Sequence, residues 1–163
     1  MYYREARDAI RDGDIIAVRG TSLLSRLIEA ATGGPWSHVG VAWWLEDRLM
    51  VAQQREVVGC QIVPVSRLLP FDWISTGVTL TARARSRAFR DLGRSYSYLD
   101  ALRVGIGLRA MHRDRVCSTF ATTILGLCGR GLPTLERQSP AALVQALLDA
   151  GCALTSIERS VTK

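Results

Sequence analysis

Apolar positions fall into short runs of strand length in the first half of the chain and into helical spacing in much of the second. Residues 3–11 read as a short helix closed by Gly13, and Asp14-Ile15-Ile16-Ala17-Val18-Arg19 reads as a strand that Gly20 breaks. Thr21 or Ser22 can cap a helix through about Ala31, with Leu24, Leu27 and Ile28 on one face. Thr32-Gly33-Gly34-Pro35 is a turn and stop signal.

The run Trp36 to Leu45 then has apolar residues in both phases of a strand, the mark of a strand buried on both faces. Glu46-Asp47-Arg48 turns the chain, and Leu49 to Gln53 returns as a hairpin partner. Residues 57–65 read as a third strand with Pro64 near its end, and a loop through Pro70-Phe71-Asp72 leads to a fourth strand over Gly77–Thr81. Helical patterns follow over Ala82–Leu92, closed by Gly93, and over Tyr98–Leu108. Another covers Val116 to Cys128, and the last begins at Ser139-Pro140 and ends at Gly151. Cys152–Ile157 reads as a final strand. The expected class is α+β, an antiparallel sheet or small barrel packed against helices.

At 163 residues the chain suffices for one domain, 1–163, with a substantial core. With 48% hydrophobic and 22% charged residues it has globular composition. No apolar run approaches the roughly 18–20 residues a membrane span needs. No hydrophobic signal region follows the N-terminus, so synthesis and initial retention in the cytoplasm are expected.

The net charge is +6, but the basic residues are spread. Arginines 83, 85, 87, 90 and 94 follow a helical pattern without interleaved aromatics or a nucleic-acid motif. They read as a solvated helix face, so no nucleic-acid partner is expected. Such a surface also assists approach to an anionic polymer such as a cell wall or membrane.

Four cysteines, 60, 117, 128 and 152, contain no CxxC pair, and the two histidines lie far apart. Neither a zinc site nor another cofactor is expected. Cys117 and Cys128 sit eleven residues apart on one expected helix, roughly 16 Å along its axis, too far to bridge.

Cys117 is the candidate nucleophile. It stands at a helix start behind Arg113 and Arg115, where the helix's positive end favours a thiolate. Imidazole is the side chain suited to activate such a thiol, and His38, opening the buried strand, is the candidate base; His112, in an arginine-rich loop, is the rival. The backbone N–H groups of Cys117 and Ser118 would face a developing oxyanion.

Four short motifs occur in order: Gly13-Asp14-Ile15-Ile16, Ser37-His38-Val39-Gly40, Gly93-Arg94-Ser95-Tyr96, and Cys117-Ser118 at a helix start. In this combination the chain resembles the circularly permuted branch of the NlpC/P60 cysteine peptidases, a papain-like superfamily, over roughly residues 12 to 125. The resemblance implies Cys117 as nucleophile and His38 as base. It implies a third, orienting residue at the place of Gln53, with Glu56 the nearby alternative. Tyr96 would line the cleft, with Ser37 and Ser118 beside it. The implied activity is hydrolysis of an amide bond in bacterial cell-wall peptides by a host, phage or prophage protein delivered to the wall or carried in a virion. An acyltransferase or lipid-ester hydrolase on the same fold, or an inactive binding module, is the alternative.

Overall fold

The protein is described by a computed structural model that covers residues 1–20, 34–55, 58–94, 115–132 and 139–159. Its centre is a six-stranded antiparallel sheet, packed against helices in an α+β arrangement. The strands are β1 (Ile15–Arg19), β2 (Trp36–Leu45), β3 (Arg48–Arg55), β4 (Gly59–Pro64), β5 (Phe71–Ser75) and β6 (Ala153–Ile157). Their order across the sheet is the linear β4-β3-β2-β1-β5-β6. Helices α1 (Tyr3–Ala6), α2 (Ala82–Asp91), α3 (Arg115–Leu127) and α4 (Pro140–Asp149), with two 3₁₀ turns at Arg7–Ala9 and Val65–Leu68, complete the described elements. None of these helices is long and apolar enough to cross a membrane.

Both phases of β2 are apolar because the sheet is covered on both faces. Val39, Val41 and Trp43 share a cluster with Ile15, Ala17, Ala52 and Ile74. Phe120, Ala121, Ile124 and Leu125 of α3 and Leu143, Val144 and Leu147 of α4 belong to the same cluster. In the opposite phase Ala42 joins Ile16, Val51, Phe71 and Ile157, with Ala6 and Ile10 closing that side. A strand alternates its side chains across a sheet, so two covered faces demand apolar residues in both registers.

Local chemistry fixes the boundaries. The Thr81 hydroxyl accepts from the Ala84 amide at 3.1 Å and Ser139 from the Ala142 amide at 3.1 Å, capping α2 and α4. The hairpin between β2 and β3 turns at Glu46, whose φ is +53°.

One strand lies elsewhere than expected. The sequence pattern favours 77–81, whereas the strand is Phe71–Ser75, paired to β1 and β6. Asp72 reads as a loop residue, yet it is buried and accepts from Arg19 Nε at 2.8 Å, Trp36 Nε1 at 2.7 Å and Ser156 Oγ at 2.6 Å. Burial works to raise its carboxyl, but those donors outweigh it and hold the group below the ordinary carboxylate value. The basic face of α2 differs in part as well. Arg83 and Arg90 are exposed, while the half-buried Arg85 pairs with Asp12 and lies 5.3 Å from the Trp43 ring centre. The expected helices at 21–31 and 98–108 lie outside the described residues.

Candidate active site

Helix α3 packs against β2 and β3, the two strands that carry the candidate base and its partner. The first-turn residue Cys117 is buried, 4% exposed, and Ser118 beside it is fully buried. The helix presents Cys117, Phe120, Ala121, Ile124 and Leu125 to the core, a spacing of three and four that follows from the helical repeat.

His38 lies near the start of β2, one residue after an irregularity in pairing. Val18 pairs with His38, but Arg19 pairs with Trp36, so Ser37 is an extra residue whose hydroxyl donates to the Val18 carbonyl at 3.4 Å. Across the hairpin, Gln53 is 1% exposed, and its Oε1 lies 2.6 Å from His38 Nε2. An amide oxygen can only accept, so Nε2 carries the proton and Nδ1 is the basic nitrogen. Burial pushes the His38 pKa down to about 4; the Gln53 bond opposes that and the nearby Arg55 charge adds to it. The resting imidazole is therefore neutral near pH 7.

Gly40, two residues along, explains how close the hairpin packs there. A Cβ at this position would stand 2.5 Å from Val51 Cγ2 and 3.2 Å from Gln53 Cβ. Any side chain would press on the residue that holds His38, a role the bare His-Val-Gly pattern does not reveal.

The structure joins His38 to Gln53. It does not join either to Cys117 by a hydrogen bond: the His38 ring bonds Gln53 alone among the described residues. Strand alternation accounts for this, since Val39, Val41 and Ala52 share the cluster of Cys117 and the two polar residues occupy the other phase. Tyr96, Glu56 and His112 lie outside the described residues.

The other thiols differ from one another. Burial, with the Asp91 charge, pushes Cys60 up to about 11. Cys152 accepts a 2.9 Å bond from Arg130 Nη2, a neighbour that the sequence pattern does not signal. All four cysteines are unbridged.

No protein-family model and no curated sequence matches the chain. Among solved structures, it is similar in fold to the metalloprotein yiiX from Escherichia coli O157:H7, with a TM-score of 0.54 and 18% identity. That similarity covers 92% of this chain and 97% of the other. At such identity it is a likeness of fold.

Proposed function

We propose that the protein is a thiol hydrolase on a permuted papain-like fold, using Cys117 as nucleophile and His38 as general base to open an amide bond. The observation that carries this reading is the His38–Gln53 pair: an imidazole neutral at physiological pH, its tautomer fixed by an amide 2.6 Å away. Orienting an imidazole through its second nitrogen is what a third catalytic member does.

In this mechanism Nδ1 takes the Cys117 proton as Sγ adds to the substrate carbonyl, forming the C–S bond. The amides at the start of α3 stabilise the oxyanion. His38 returns the proton to the leaving nitrogen as the C–N bond breaks, leaving a thioester. Water, deprotonated by His38, then releases the carboxylic acid and restores the thiol. Sγ and Nδ1 share no hydrogen bond at rest and His38 stands in the other strand phase, so the step requires the irregular start of β2 beside Ser37 to re-aim His38 toward the α3 face as substrate binds. Cell-wall peptide stems are the proposed substrate. An acyl lipid, cleaved or transferred through the same thioester, is the alternative acyl donor.

The separation of Cys117 from His38 by strand phase favours a second reading, an inactive module that keeps the fold for binding. The Escherichia coli neighbour is described as a metalloprotein. Among the described residues no three His, Cys, Asp or Glu side chains are grouped to hold an ion.

Purified peptidoglycan and phospholipid vesicles, incubated separately with the protein and analysed by mass spectrometry, distinguish these readings. Hydrolysis should vanish in Cys117→Ser and fall about 10²–10⁴-fold in His38→Gln. Product from neither substrate, or activity untouched by both changes, would establish the binding module or another site.

A further inference from the structure

An apolar and cationic rim lies where the end of α2 meets the start of β4. Leu92 forms a parallel bridge with Cys60, and the Gly93 amide donates to the Cys60 carbonyl at 2.9 Å. The Gln54 side-chain amide holds the Arg94 carbonyl at 3.3 Å. Three exposed apolar side chains stand along this junction: Val58 at 59%, two residues before Cys60, Leu92 at 37%, and Phe89 at 52%, one turn earlier on α2 with its ring also edge-on to Trp43 at 5.1 Å. They are three of the five large exposed apolar residues among the described residues; the others, Met1 and Tyr2, are at the N-terminus.

The same rim is positively charged. Arg55, Arg90 and Arg94 are exposed there, and Arg83 extends the exposed face along α2. Arg83, Arg90 and Arg55 have no carboxylate partner among the described residues, and Arg94 only grazes Asp91 at 3.9 Å. Asp91 itself is taken by Arg87 at 2.6 Å. Guanidinium groups without a close carboxylate among the described residues, interspersed with exposed aliphatic and aromatic carbon, suit a phosphate-bearing surface with hydrocarbon just beneath it. A nucleic acid would satisfy the arginines but not Val58 and Leu92, which have no π-face to stack on a base.

We propose that this rim seats the protein on the surface of an anionic phospholipid bilayer, the arginines meeting headgroup phosphates while Phe89, Leu92 and Val58 enter the interface. The sheet register orients the molecule on that surface. Val41 pairs with Ala52, which sets Arg55 level with His38, so the seated end is the one that carries the His38–Gln53 pair. Seating is a binding property, independent of whether Cys117 is a nucleophile.

The test is co-sedimentation of the full chain with vesicles of phosphatidylcholine alone and with a third of phosphatidylglycerol, at low salt and at 0.5 M salt. Binding should require the anionic lipid, weaken at high salt, and fall about fivefold for each of Arg90→Gln and Arg94→Gln. Leu92→Ser and Val58→Ser, both at exposed positions, should weaken binding without altering the circular dichroism spectrum, and Arg67→Gln, outside the rim, should leave it unchanged. Equal binding to both vesicle types, or binding unmoved by the rim variants, overturns the proposal. Loss on Arg90→Gln with no change on Leu92→Ser and Val58→Ser also overturns it. So does preferential capture of a DNA or RNA duplex by the same arginines.

Discussion

Acidification from pH 7 to pH 4.5, run in parallel on the native sequence and on a His38→Gln variant, tests the environment of His38 directly. The imidazole pKa falls from 6.5 to about 4 on folding, chiefly through burial. Between those values the unfolded chain binds a proton that the folded chain does not. Stability from this group is thus complete above pH 6.5 and is lost as pH falls toward 4. At pH 4.5 the ratio of proton-binding factors, unfolded to folded, is about 77, against about 1.3 at pH 7, a difference of about 2.4 kcal/mol. Glutamine keeps an amide that can still donate to Gln53, but it does not titrate. Urea unfolding of both proteins at the two pH values gives four free energies. The native protein should lose about 2 kcal/mol more than the variant, after every shared carboxylate cancels. An imidazole NMR titration should place the inflection near 4. Equal losses in both proteins, or an inflection near 6.5, would refute the burial and tautomer assigned to His38.

Gly40→Ala should cost about 1–3 kcal/mol in urea unfolding, because the new methyl meets Val51 Cγ2 at 2.5 Å within a paired hairpin. The same variant should move the His38 inflection by displacing Gln53; an unchanged inflection would mean that the hairpin yields on the Val51 side. Asp72→Asn should lower stability at pH 7 by about 1–3 kcal/mol, since it removes the charge that three donors address. The native carboxyl is held below its ordinary value, so the difference between the two proteins should shrink as pH falls through that depressed pKa; a constant difference would point to a steric cause. Cys60, buried and pushed up to about 11, should be the slowest thiol toward iodoacetamide at pH 8 by peptide mapping, and early labelling there would contradict that burial.

Much of the fold is legible in the residues themselves. The limits of β2, the return of β3, the cap at Ser139-Pro140 and the strand after Gly151 follow from periodicity and turn chemistry, which act over a few neighbours. The fifth strand was hidden because Asp72 is polar, and its three donors come from positions 19, 36 and 156. Long-range satisfaction of a buried carboxylate leaves no local signal. Gly13 is a similar case: its φ of +88° and the Val78 carbonyl 2.7 Å from a would-be Cβ permit only glycine, while the adjacent Asp14 accepts from Trp73 Nε1 and the Thr76 amide. Part of the Gly-Asp-Ile-Ile pattern is therefore architectural, a clip between β1 and β5. At the site, Gln53 as the partner of His38 is what the family resemblance implies rather than what spacing shows, and the hairpin brings the two side chains to 2.6 Å. The phase of those two residues relative to Cys117 was not readable either, because apolar residues occupy both registers of β2.

That phase relation bears on how the thiol could be activated. A half-buried imidazole bonded to an amide has no carboxylate among the described residues to stabilise its protonated form, and Arg55 works against protonation too. A resting thiolate–imidazolium pair would need the opposite environment. Under the proposed thiol-hydrolase reading, the arrangement suits a neutral base that accepts a proton only while a bond to carbon is forming, the concerted form of general-base catalysis. Reactivity toward a simple alkylating agent and turnover of an acyl substrate then become separate properties. The first depends on how exposed and ionised Cys117 is at rest, and burial at 4% exposure opposes it. The second depends on the irregular start of β2 re-aiming His38 toward Sγ and the carbonyl as substrate binds, so binding energy rather than a preformed ion pair supplies the activation.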